Sequence, residues 1–181
     1  MSAQATPFAV LKDIARRSRS LAAGLPEQQE VVALWNGIGF MLAGQRFVAP
    51  MGEVVEILHL PRYTHVPGVR PFMLGVANVR GRLLPMIDLA QFFGVPRSAR
   101  SSRDRRVLVV EQDDIFTGLV VDDVAGMQYF AEDSFVSRPR EVHEAIAPFV
   151  LGGYVRDDEI WNVFSTFTLI DDERFLDVSQ W

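Results

Sequence analysis

No cysteine occurs among the 181 residues, so neither disulfides nor thiolate metal ligands can hold this chain together. Lysine is nearly missing as well, Lys12 being the only one beside a large excess of arginine. Arginine forks suit bidentate carboxylate pairing, although a GC-rich genome produces the same bias without functional meaning. Histidine is limited to His59, His65 and His143, none of them in an H-E-x-x-H or H-x-H arrangement, which leaves a metal site without a basis. No apolar run approaches the roughly 18 residues of a membrane helix. The start, Met-Ser-Ala-Gln-Ala-Thr-Pro-Phe, lacks a basic stretch followed by an apolar one, so the expectation is a cytoplasmic protein without direct membrane insertion. Phosphate-cradling G-x-x-x-x-G-K-[ST] and nucleophile-elbow G-x-S-x-G patterns are absent too, which counts against an enzyme and gives no seat to a nucleotide or other cofactor. Basic charge is outnumbered: a net charge of -5 and a pI near 5.2 argue against nucleic acid and leave protein partners open.

What the chain does have is apolar material, 49% of its residues, enough at this length to bury roughly 70% of the unfolded surface in a core. Thr6 can cap and Pro7 start a helix whose apolar stripe runs through Phe8, Leu11, Ile14 or Ala15, Ser18, and Leu21 or Ala22. Lys12, Arg16, Arg17 and Arg19 lie away from that stripe, and Gly24 with Pro26 ends it. A second short helix is expected over Glu27–Leu34, anchored by Val31, Val32 and Trp35, making residues 1–36 a helical extension.

From Gly37 the pattern becomes that of an all-β fold. Short strands are predicted at Ile38–Leu42, Arg46–Pro50 and Val54–Leu58, then a hairpin of Gly75–Val79 and Leu83–Ile87 turned at Arg80-Gly81-Arg82. Asp88 caps a short helix through Phe92 and Phe93 that Gly94 closes. The stretch from Arg97 to Arg106 mixes arginine with serine, reads as a solvated loop, and divides the chain into two β-rich halves. An alternative reading makes it the phosphate contact of a β-barrel nucleic-acid module, although it lacks aromatic residues to stack bases. Beyond it, strands are predicted at Val107–Val110, Phe116–Val121, Val124–Phe130, Phe149–Val155 and Ile160–Phe164, with Asp113-Asp114 and Asp157-Asp158 as hairpin turns. Asp122-Asp123 reads as an acidic turn, and a helix over Thr166–Phe175 closes the fold. Gly152-Gly153 marks a bulge or close backbone approach. Local similarity, such as Glu53–Ile57 against Asp123–Met127, suggests a diverged duplication.

The run Gly75-Val76-Ala77-Asn78-Val79-Arg80-Gly81-Arg82-Leu83-Leu84-Pro85-Met86-Ile87-Asp88-Leu89 resembles the signature of CheW-like coupling proteins. Phe47–Ile57 is similar to that family's strand and V-x-E-I element, and Gly118–Val124 to its G-[IL]-V-V-D-x-V strand. The resemblance covers roughly residues 37 to 173, leaving 174–181 as a tail. Within the family, the Leu21–Pro26 stretch and Trp35-x-Gly37-Ile38-Gly39-Phe40 look most like adaptors of the PilI type, which serve type IV pili and twitching motility. The fold this implies is mainly β: two packed, SH3-like, five-stranded barrels that exchange strands, with an α-helical N-terminal extension and a short C-terminal helix. The function it implies is non-enzymatic. Such adaptors bridge the cytoplasmic tip of a methyl-accepting chemoreceptor and the regulatory domain of a CheA-type histidine kinase, in receptor arrays at the inner membrane; a flagellar-chemotaxis paralogue would share the signature. By position, Val54, Glu56, Gly75 and Arg80 correspond to the receptor-binding region. Arg80 could offer its fork to a partner or merely buttress Glu56. Asn78, Gly81, Pro85 and Asp88 read as structural, through turn bonding, positive φ, edge placement and helix capping respectively.

Overall fold

A computed structural model describes residues 7–21, 33–97, 105–138 and 142–179. The chain divides into two compact units, residues 1–32 and 33–181. In the first, α1 (Pro7–Leu21) forms where the apolar spacing places it, and Arg17 pairs with Asp13 one turn away at 2.8 Å. The second expected helix lies outside the described residues except at its end, where Leu34 already starts a strand.

The second unit runs β1 (Leu34–Leu42), β2 (Gln45–Pro50), β3 (Glu56–His59), β4 (Tyr63–Thr64), β5 (Met73–Val79), β6 (Arg82–Asp88), α2 (Leu89–Phe93), β7 (Arg106–Gln112), β8 (Ile115–Val121), β9 (Asp123–Ala131), β10 (Phe135–Val136), β11 (Val150–Arg156), β12 (Glu159–Phe164), α3 (Thr166–Ile170) and α4 (Glu173–Leu176). Two six-stranded sheets result, ordered β9-β1-β2-β12-β11-β10, here barrel I, and β3-β7-β8-β6-β5-β4, barrel II. Each has five principal strands and one two-residue strand at the end of the order, in keeping with the five-stranded expectation.

Both barrels share one pairing sense. A hairpin (β1–β2 or β7–β8) pairs antiparallel with β9 or β3 on one side and parallel with β12 or β6 on the other. A second hairpin then continues to the far edge. The duplication suggested by local similarity is thus visible in the wiring, but the barrels are not successive halves of the chain. Barrel I takes its first hairpin from one end of the unit and four strands from the other, while β3–β8 form barrel II between them. The arginine-rich loop therefore lies within barrel II, between α2 and β7, and its residues 98–104 lie outside the described residues.

Alternation along the strands sorts three cores. Leu108 and Val110 of β7 face the large core between the barrels with Phe40, Phe47 and Phe164, whereas Val107 and Val109 face the interior of barrel II with Leu84 and Met86. Being buried on both faces explains that strand's unbroken apolar run. Barrel I has its own centre of Trp35, Phe130, Tyr154 and Trp161. Trp35, expected to anchor a helix, instead stacks on Tyr154 at 4.7 Å from within β1.

Three further readings change. Asp122-Asp123 is less than a full turn: Asp122 is the single residue joining β8 to β9, buried, with Oδ2 accepting the Ala43 amide at 2.9 Å, and Asp123 already opens β9. The closing helix is two, because Asp172 leaves helical geometry to cap α4, accepting from the Arg174 amide at 2.8 Å. Pro85 is not on an edge strand, since β6 lies between β5 and β8; the parallel ladder starts only at Met86↔Gly118, so its missing N–H falls before the ladder begins, and its carbonyl accepts from Thr117 Oγ1 at 3.2 Å.

Candidate binding site on the second barrel

The β5–β6 connection is a two-residue turn in which Arg80 (φ 53) and Gly81 (φ 81) both adopt left-handed geometry, the turn that suits twisted hairpins. Asn78 Oδ1 accepts the Gly81 amide at 2.9 Å and steadies it. From this turn Arg80 crosses the open seam of barrel II to β3 at the other end of the strand order, and its Nη2 donates to Glu56 Oε1 at 2.6 Å. Glu56 is 26% exposed and Arg80 79%, so the carboxylate is sheltered while most of the guanidinium faces outward. Val55 and Ile57, on the opposite side of the strand from Glu56, are exposed apolar neighbours that the sequence pattern did not single out. Val54 is half-buried against the core between the barrels.

Gly75 is placed differently. It is buried at the β5 bulge with φ 146, and a Cβ there would overlap the Thr64 carbonyl oxygen. It shapes the strand that presents Arg80 and lies apart from the Arg80–Glu56 pair. Beside the turn, Arg82 grips Glu111 with both terminal nitrogens, at 2.7 and 3.2 Å, and lies 3.7 Å over the Phe116 ring. That hydrogen bonding holds Glu111 below, and Arg82 above, the ordinary range for each group. Asp88 caps α2 by accepting from Gln91 N at 3.1 Å and also receives Arg97 at 2.7 Å and Arg105 at 3.4 Å. With its side chain 3% exposed, it fastens both described ends of the arginine-rich loop.

Barrel I has a counterpart. The bulge glycine recurs as Gly152 (φ 154), where a Cβ would overlap the Phe135 ring, as the paired glycines suggested. Arg156, ending β11, reaches across to β9 and donates to Gln128 Oε1 at 2.7 Å, its guanidinium lying 4.9 Å from Phe130 and 5.2 Å from Trp161. A residue of the V-x-E-I region that the motif passed over is Glu53, whose carboxylate takes four donors from the start of α3.

Among the described residues no three His, Asp or Glu side chains gather as metal ligands, and no helix is long and apolar enough to cross a membrane. The geometry offers a fixed, outward-facing guanidinium at the seam of the barrel.

The profile of the CheW-like domain matches residues 36–174. PilI of Pseudomonas aeruginosa is 52% identical over 179 residues, covering 99% of both chains. The chain belongs to the CheW-like family. The crystal structure of the scaffolding protein TtCheW from Thermoanaerobacter tengcongensis superposes with a TM-score of 0.66 at 27% identity, over 78% of this CheW-like chain and 96% of that one. A 123-residue stretch of the chemotaxis protein CheA of Salmonella typhimurium, 18% of its length, is 27% identical to 67% of this chain. Membership makes this CheW-like protein an adaptor of chemotaxis-type signalling and not an enzyme.

Proposed function

We infer that this CheW-like protein couples the cytoplasmic tip of a methyl-accepting chemoreceptor to a CheA-type histidine kinase, within receptor arrays at the inner membrane that control type IV pili and twitching motility. The observation that carries the reading is the Arg80 guanidinium, fixed on Glu56 across the seam yet mostly exposed. Sequence likeness over nearly the full length of PilI supports the pilus pathway, and the stretch shared with CheA supports a kinase of related fold as the second partner. Glu56 and Arg80 form the receptor contact, with Val54 and Gly75 holding the strands that carry them. The nucleic-acid alternative loses support, because Arg97 and Arg105 from the loop are committed to Asp88.

The test is Arg80→Glu. We predict about tenfold weaker assembly with a receptor tip fragment, from loss of charge-assisted contacts, while the melting temperature stays within a few degrees of wild type. Unchanged affinity, or collapse of the fold, would sink the role. A tagged pull-down from the native cell, with nuclease present, should recover a CheA-type kinase and a chemoreceptor; recovery of neither, with nucleic acid retained before nuclease treatment, would reverse the assignment.

A further inference from the structure

The chain passes between the barrels twice, and a carboxylate fastens each passage to barrel I. On the second, Asp122 accepts from Ala43 at the tip of the β1–β2 hairpin. On the first, residues 51–55, Glu53 is engaged far more heavily. Its Oε2 accepts the Thr166 amide at 2.5 Å, Thr166 Oγ1 at 2.9 Å and the Phe167 amide at 3.3 Å, and its Oε1 accepts Ser165 Oγ at 3.3 Å. Ser165 Oγ in turn takes the Thr168 amide at 3.1 Å, so the first three N–H groups of α3 are all satisfied, two of them by Glu53. A carboxylate at a helix start is also favoured by the helix dipole.

The position of Glu53 matters more than the helix it caps. Its own amide closes a turn onto the Pro50 carbonyl at 3.0 Å. Two residues later the Val55 amide opens the ladder with β7 by donating to Val109 O at 2.9 Å, and Glu56 follows in register with Val109. A one-residue slip in this strand would turn Glu56 away from the seam and present Val55 or Ile57 to Arg80. Glu53 is the last hydrogen-bonded side chain before that ladder starts, next to Val54, which packs on the core between the barrels. β3 is only four residues long and pairs with β7 alone, so its start rests on few contacts: the Glu53 tie, the Val54 packing and the first bonds of the ladder.

We propose that Glu53 is a positioning residue for the Arg80–Glu56 site: by tying the first inter-barrel passage to the start of α3, it fixes the register in which β3 presents Glu56. This rests on the receptor-site reading above, and it makes barrel I a determinant of a site carried wholly by barrel II.

The experiment uses the full chain as wild type, Glu53→Gln, Thr166→Val, Arg80→Ala, and the Glu53→Gln/Arg80→Ala double variant. Thr166→Val removes one donor to Glu53 while leaving both backbone amides, and so serves if Glu53→Gln fails to fold. Two readouts are taken: amide hydrogen exchange across residues 54–59, and affinity for a chemoreceptor tip fragment from the same cell. Glu53→Gln should speed exchange in 54–59 about tenfold with β11 and β12 unchanged, and weaken tip binding about fivefold, within the range of long-range coupling effects. In the Arg80→Ala background it should cost less than about twofold more, because the group it positions is already gone. Unchanged exchange in 54–59, or full additivity with Arg80→Ala, overturns the proposal. Wild-type protein that does not bind the tip overturns the receptor reading instead, and the exchange data then decide the positioning role alone.

Discussion

Arg156 of barrel I and Arg80 of barrel II do the same mechanical job in different surroundings. Each stands at or just past the end of the penultimate strand in its sheet order, β11 or β5, and reaches over the seam to the strand at the opposite end of that order, β9 or β3. Arg156 meets a neutral amide and lies against Phe130 and Trp161. Arg80, in the turn itself, meets a carboxylate and lies mostly in solvent. An arginine packed on two aromatic rings contributes through contact as well as charge, about 0.5–2 kcal/mol. An exposed ion pair contributes at most about 1 kcal/mol. The same closure is therefore structural in barrel I, whereas in barrel II it adds little to stability and stays available to a partner. The neighbouring turns follow suit: Arg80-Gly81 in one barrel, Asp157-Asp158 in the other.

The largest expected effect tests whether the bulges are equivalent. Gly75→Ala and Gly152→Ala should each destabilise by about 2–4 kcal/mol in urea unfolding, Gly75 the more, since its Cβ would overlap a backbone carbonyl oxygen, whereas at Gly152 the carbonyl is 2.8 Å away and the nearer contact is a ring able to tilt. A tolerated alanine at Gly75 would break the parallel. Next come the helix starts that follow β6 and β12. Asp88→Ala should lose about 3 kcal/mol, because two arginines are left without their buried anion, against about 1 kcal/mol for Ser165→Ala. Matching losses would mean that the Asp88 arginines contribute nothing. The arginine comparison is sharpened by Arg156→Ala, expected to cost about 1–3 kcal/mol, set against Arg80→Ala at under about 0.5 kcal/mol. Equal values would contradict the division of labour. The smallest effect is electrostatic. Glu111 is held down by its Arg82 hydrogen bonds, so that stabilisation is present at neutral pH and lost on acidification through its depressed midpoint. Carboxyl NMR should show the Glu111 titration rising to the ordinary glutamate range in Arg82→Ala; a midpoint that stays put would deny the pairing in solution.

Much of this was legible beforehand, for local reasons. Asn78, Gly81 and Gly94, and Asp88 in its capping role, act through bonds to residues within a few positions, and each is readable from turn and capping chemistry. Strand positions in the second unit followed from alternation and turn residues. What stayed hidden was long-range. That β1 pairs with β9 on its other side from β2 leaves no local trace, since the turn and apolar signals are the same whichever strand lies there. The role of Glu53 leaves no local signal because its four donors lie more than a hundred residues away. The rule that confines proline to edge strands fails at Pro85, because the parallel ladder begins one residue later.

The insertion of all of β3–β8 between the β1–β2 hairpin and its partner strands governs how the chain can be made. A ribosome releases the β1–β2 hairpin early, yet its partners β9 and β12 emerge only after all of β3–β8 has been translated. Barrel II can close while Trp35, Phe40 and Phe47 still wait for theirs, so the nascent protein carries an exposed aromatic hairpin through most of its synthesis. Pairings so distant in sequence make this a slow-folding topology. The first segment of the domain to be translated is among the last to be buried.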